Sequence, residues 1–165
     1  MPKYNPAMLK QVTVSLPFGV GSASWEVDST ERDASWELYV EPVTRVAVQS
    51  LNPQEGLVRE AMNSLYSLFG STREILRKAG PNVGASHDSV GGIAIAVLNN
   101  GLRPFLSKWH PLLLEWEEKK PNGTSPQVHE KAWDKELIVR GELDALRGDL
   151  EQYANALAEI AGVSE

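Results

Sequence analysis

The chain has no cysteine, only three histidines and no apolar run longer than six residues, and each gap removes a class of function. Without cysteine there is no disulfide, no thiol catalysis and no cysteine-held zinc or iron–sulfur centre. The longest apolar run, Ile93 to Leu98, falls far short of the ~20 residues that span a bilayer. The opening Met-Pro-Lys-Tyr-Asn-Pro lacks the apolar stretch of a secretory signal. A cytoplasmic location is the expectation. Clustered Lys and Arg, which a polyanion partner requires, are also missing. The net charge is −6, and the acidity gathers in positions 129–165, so neither nucleic acid nor a membrane surface is expected as partner.

Catalytic signatures are scarce too. His87, His110 and His129 stand at no recognised metal spacing, since both His-Glu-x-x-His and Glu-x-x-His are missing. No Gly-x-Ser-x-Gly elbow offers a nucleophile. Gly19-Val20-Gly21-Ser22 resembles a scrap of a phosphate-cradling loop, but it precedes a strand pattern and lacks Gly-Lys-Ser/Thr. A hairpin turn is the better reading. Glu41, Glu55, Glu74, Glu115 and Glu136 each stand four residues before a Lys or Arg, the favourable order for helix-surface ion pairs worth about 0.2–0.5 kcal/mol each. That pattern reads as a solvated exterior. No cofactor and no metal are expected.

What is present is periodicity. Lys10 to Leu16 alternates, with Val12, Val14 and Leu16 on one face, and Ser22 to Val27 alternates again after Pro17–Gly21. Two such runs about a Gly/Pro turn predict a β-hairpin. A first helix is expected over 29–48, capped by Asp28 or Ser29, with Trp36, Tyr39, Val40, Val43 and Val46 or Ala47 facing inward and Pro42 kinking or ending it. Asn52-Pro53-Gln54-Glu55 has the form of a cap followed by a first-position proline. The second helix is expected to begin there and to run along Val58, Met62, Leu65, Phe69, Thr72, Leu76 and Ala79 until Gly80-Pro81. A third begins near Asp88 and keeps one stripe, Val90 to Trp116, through Pro104 and Pro111. That continuity predicts a long kinked helix. After the turn at 120–124, Ser125-Pro126 opens a last helix whose Val139, Leu143, Leu146, Leu150, Tyr153, Leu157 and Ile160 recur at alternating steps of four and three.

The expected fold is mainly α: an antiparallel, up-down four-helix bundle over 29–165, with the hairpin of segment 1–28 packed on it. Two places carry the functional expectations. Asn99, Arg103, Trp109 and His110, near the two proline bends, form a candidate ligand pocket. Trp133 and Arg140 are candidates for a partner interface, with Trp133 expected at an exposed edge. The leading expectation is a non-enzymatic interaction module that binds a protein partner or a second copy of itself. The alternative is a small-ligand-sensing regulatory bundle with its pocket near Pro104 and Pro111. An enzyme using His110 and Glu41 is the third.

Overall fold

The computed structural model describes residues 10–45, 52 and 55–163. Strands β1 (Lys10–Leu16) and β2 (Gly21–Val27) pair antiparallel, with Val12 opposite Trp25 and Val14 opposite Ala23. The turn between them has positive φ at both central residues, Phe18 at 60° and Gly19 at 70°, as the right-handed twist of a tight hairpin demands. Val12, Val14, Leu16, Ala23 and Val27 are buried beneath it, so alternation in the sequence becomes one apolar face on the helices.

Five helical rods follow among the described residues. The first is α1 (Ser29–Val43), whose Asp28 side chain accepts the Glu31 amide. Pro42 ends it: the helix stops one residue later, and Thr44 closes it with its amide and hydroxyl on the Val40 carbonyl. The residues expected to continue it, Val46 to Val48, lie outside the described residues. The buried face of α1 is also not the expected one. Ala34, Ser35, Leu38 and Pro42 point inward, while Trp36 and Val40 are exposed and Tyr39 is half-buried. The reason is proximity to the last helix: small side chains let the two backbones approach until the Ser35 hydroxyl donates to the Leu157 carbonyl over 2.7 Å in the buried seam. A tryptophan at that position would hold them apart.

The second rod is α2 (Val58–Ala79). Its stripe is buried as expected from Val58 through Thr72, but its start is displaced. Asn52 is not its cap, and Pro53 and Gln54 lie outside the described residues. Leu57 occupies the cap position with no capping side chain. The first amide, on Val58, donates instead to Glu130 Oε1 over 2.8 Å, from a carboxylate 72 residues away in sequence.

A short 3-10 turn (Pro81–Gly84) leads to α3 (Val90–Val97). Ser89 rather than Asp88 caps α3, accepting the Gly92 amide. A π turn over Leu98–Leu102 joins α3 without a break to α4 (Arg103–Glu118). The expected long helix with a distortion is present, and its distortion is this π turn: the Arg103 amide reaches back five residues to the Leu98 carbonyl, just ahead of Pro104, which has no amide to give. Pro111 stays inside α4.

The expected last helix is two. Ser125 and Pro126 do open a helix, α5 (Pro126–Lys131), with the Ser125 hydroxyl capping Val128. It breaks at Ala132–Lys135, where Trp133 turns into the core, and α6 (Glu136–Ala161) begins afresh. All seven residues of the expected α6 seam are buried, each contributing about 1.5–3 kcal/mol of transfer free energy. Gly162, at φ 74°, ends the helix in the left-handed conformation that glycine adopts without cost. The fold is therefore mainly helical with a two-stranded N-terminal hairpin. No helix among the described residues is long and apolar enough to cross a membrane.

One contact joins the hairpin to the π turn. Gly101 lies under the Phe18 ring so closely that a Cβ there would sit 2.4 Å from ring carbons. This seat offsets the cost of holding Phe18, a non-glycine residue, at positive φ. Gly101→Ala is expected to lower stability by about 1–3 kcal/mol, as overpacking does. Urea denaturation should show that Phe18→Ala recovers part of that loss when the two changes are combined, since the clash needs both partners.

Candidate functional site

Two regions bear on function, and they differ in how much of their polar chemistry is already satisfied. The first is a buried ionic clamp. Glu130 accepts the Val58 amide, and Arg140 reaches it over 3.5 Å while donating to the Gly56 carbonyl at 3.1 Å and to Glu136 at 2.7 Å. Arg140 and Trp133, the two candidates for a partner interface, are thus both interior. Trp133 is 5% exposed with its ring edge-on to Trp109 at 6.0 Å. The exposed edge expected for Trp133 is not there, because the break between α5 and α6 folds the indole inward. Sequence spacing suggested only a surface pair between Glu136 and Arg140; that Glu130 and the start of α2 complete it depends on tertiary packing.

Burial raises the Glu130 carboxyl above the ordinary carboxylate range, against the opposing pull of the amides of Val58 and Arg59 and of the Arg140 charge. Glu31 is its counterpart at the other end of the chain. Its carboxylate accepts the Trp25 indole at 3.0 Å and the Val90 amide at 3.4 Å, so it too meets the first turn of a helix other than its own. Burial raises its carboxyl likewise. His129 is held by Trp116, the rings stacked 4.4 Å apart, its Nε2 2.6 Å from the Trp116 carbonyl and the Trp116 indole on the His129 carbonyl. These groups close helix ends and loops; of their buried side-chain nitrogens and oxygens, Arg140 Nη1 is the one without a hydrogen-bond partner among the described residues.

The second region is the outward strip where α2 faces α4. It gathers three of the four candidate pocket residues. Asn99 Oδ1 accepts from Arg103 Nε and Nη2 at 3.3 and 3.2 Å. His110 stands farther along α4, edge-on to Tyr66 at 5.4 Å. Its Nδ1 lies 3.0 Å from Arg59 Nη1; since a guanidinium only donates, that nitrogen accepts and the imidazole proton sits on Nε2. Arg59 is itself clamped by both oxygens of Glu117. Tyr66 also borders a surface cavity of about 220 Å³ with Phe69, Arg73, Arg103, Leu106 and Ser107. Trp109 is not part of this strip. One position before His110, it is rotated about 100° around the helix, is 2% exposed, and donates its indole N–H to Glu142. Lys108 pairs with the same carboxylate at 2.8 Å and lies 4.6 Å from the indole centroid.

The aromatic side of α1 adjoins another open space. Trp36 and Tyr39 lie 5.7 Å apart on its outer face. Tyr39 borders a cleft of about 610 Å³ between β1 and the end of α6, lined also by Lys10 to Thr13, Asn155, Ala158 and Val163. Four consecutive strand residues line it, and successive strand side chains point to opposite faces. The cleft therefore follows the edge of β1, and the Gln152–Ser15 hydrogen bond at 3.2 Å lies beyond that stretch, where α6 meets the strand. The sequence carried the signal for this aromatic face, a helical stripe, but gave no sign that it points outward.

Among the described residues no three His, Asp or Glu side chains converge as a metal ion would need. Comparison with protein-family models, curated proteins and solved structures gives no match.

Of the three perturbed carboxylates, Glu130 and Glu142 predict opposite pH slopes. Glu130 has a raised value in the folded state, so its share of stability is fully present at low pH and falls as pH rises from 4.5 through the raised value. Glu142 is lowered by its hydrogen bonds to Lys108 and Trp109, so its share is present above 4.5 and is lost as pH falls through the lowered value. Denaturation across this range should show Glu130→Gln gaining on the wild type as pH rises and Glu142→Gln falling behind it. The Glu142 effect is the smaller, because that side chain is 41% exposed and screened by water.

Proposed function

We propose that the chain is a non-enzymatic helical interaction module that docks on a second copy of itself or on a protein partner through the outer face of α1. The observation that carries this reading is the stripe Trp36, Tyr39, Val40 and Val43. Its spacing of three, one and three marks one side of a helix, yet Trp36 is 48% exposed and Val40 36% exposed. A helix of 15 residues that buries alanine and serine while Trp36 and Val40 stay exposed and Tyr39 is only partly covered has a second apolar face left open among the described residues. Partly exposed tryptophan and tyrosine are common anchors at interfaces. The neighbouring edge of β1 adds main-chain donors and acceptors of the kind a docked chain uses.

In this reading the long helices keep the up-down bundle arrangement, with α6 as its central seam and α1 as the member turned toward a partner. Self-association is the form open to direct test. Sedimentation equilibrium of the purified chain is expected to show a dimer at micromolar concentration. Trp36→Glu should weaken it by about tenfold or more, some 1.4 kcal/mol, while the melting midpoint of the dilute monomer stays unchanged because residue 36 packs on no core. A chain that stays monomeric at every accessible concentration would overturn self-association.

A further inference from the structure

We infer that the cavity between Arg73 and Arg103 binds the oxyanion group of a small molecule, a phosphate or a carboxylate, independently of the docking face on α1. Tyr66, Phe69 and Arg73 follow one another at three and four residues on α2, and Leu106 and Ser107 stand three and four residues after Arg103 on α4. Each set therefore occupies one side of its helix, and the two sides meet around one cavity of about 220 Å³. Its apolar part is the Phe69 ring with Leu106. Both guanidiniums lie against that ring, Arg103 at 5.0 Å and Arg73 at 6.0 Å from its centroid.

Two like charges gathered at one ring repel each other, and among the described residues no carboxylate pairs with either. The sequence provides the reason. No Asp or Glu occurs between Glu60 and Glu74, and none between Asp88 and Glu115. In a chain of net charge −6, these two acid-free windows supply the two walls of one cavity. The acid on the same strip, Glu117, is taken up by Arg59. Asn99 holds Arg103 by Nε and Nη2, which orients the planar fork and leaves Nη1 unengaged. Tyr66 and Ser107, which also line the cavity, each carry a hydroxyl that can donate to an oxyanion oxygen.

Size narrows the class. Pockets for drug-sized ligands run to about 300–1,000 Å³, so this cavity suits an anionic head with a short apolar or planar body resting on Phe69. The π turn places it: the extra residue per turn at Leu98–Leu102 shifts the phase of α4 relative to α3, and segments of this kind recur at functional sites.

The test titrates the full chain with sodium phosphate and, separately, with sodium butyrate, at neutral pH and constant ionic strength. The readout is the Nε–Hε resonances of the arginines in nitrogen–proton correlation spectra. Saturable shifts at Arg73 and Arg103 with one probe or both are expected, and the probe that saturates first identifies the head group. Arg73→Gln and Arg103→Gln should each weaken binding by about tenfold or more. Arg77→Gln, on the same helix but outside the cavity, should leave it unchanged. Both cavity arginines are exposed, so the variants fold, and an unchanged melting midpoint checks this. No saturable shift with either probe up to about 10 mM, the weak end of useful affinity, overturns the proposal. So does equal weakening by Arg77→Gln, which would show general charge screening.

Discussion

A helix of 22 residues begins at Val58 with no capping group of its own, and its first amides would be left unpaired where α2, α5 and α6 come together. The Glu130 carboxylate resolves this by accepting the Val58 amide from α5, and Arg140 from α6 steadies the carboxylate while tying the Gly56 carbonyl just ahead of the helix. The start of α2 is thus tied, across 72 residues of sequence, to α5 and α6 through one carboxyl group. The arrangement is costly to assemble, because a buried charge gives up its water, and more costly to break, because either partner alone is left uncompensated. Glu31 does the same at smaller scale where the hairpin, α1 and α3 meet. The order of elements in space is held by these two carboxylates as much as by the apolar seams.

That division explains what the sequence could and could not disclose. Seams built from repeats of large apolar residues were legible: the α6 seam from Val139 to Ile160 is buried throughout, and the hairpin alternation holds strand by strand. The first helix misled because its strongest stripe is not its core. Trp36 and Tyr39 outweigh Ala34 and Ser35 in any count of hydrophobicity, yet close approach to α6 rewards small side chains and a hydroxyl. The start of α2 misled for a related reason. Asn52-Pro53 has the local form of a cap, while the group that does the capping sits on another helix. The break before α6 was hidden because Trp133 stops the helix by turning inward, a tertiary event without a glycine or proline to announce it.

The candidate site was legible in fragments. Asn99, Arg103 and His110 do fall on one outward strip, with Asn99 joined to Arg103 across the π turn and His110 about two turns farther along α4. Arg73, Tyr66 and Ser107 were not singled out, although the signal was there as two stretches without carboxylates that become neighbours when α2 lies against α4. Trp109 was misplaced by one position in the helical turn. Trp133, expected at an exposed edge, is buried, and Arg140 is mostly covered.

The π turn gives that strip a peculiar kind of dependence. An α-helix advances about 100° per residue, so one residue more or fewer between Leu98 and Leu102 would swing everything beyond it by that angle. Arg103, Ser107 and His110 would leave α2 together, with none of them changed. The chemistry of this face is therefore stored in a count as well as in its side chains. A substitution on the strip removes one group and leaves the others in place, whereas an insertion or deletion in the turn would carry the whole α4 side of the strip away.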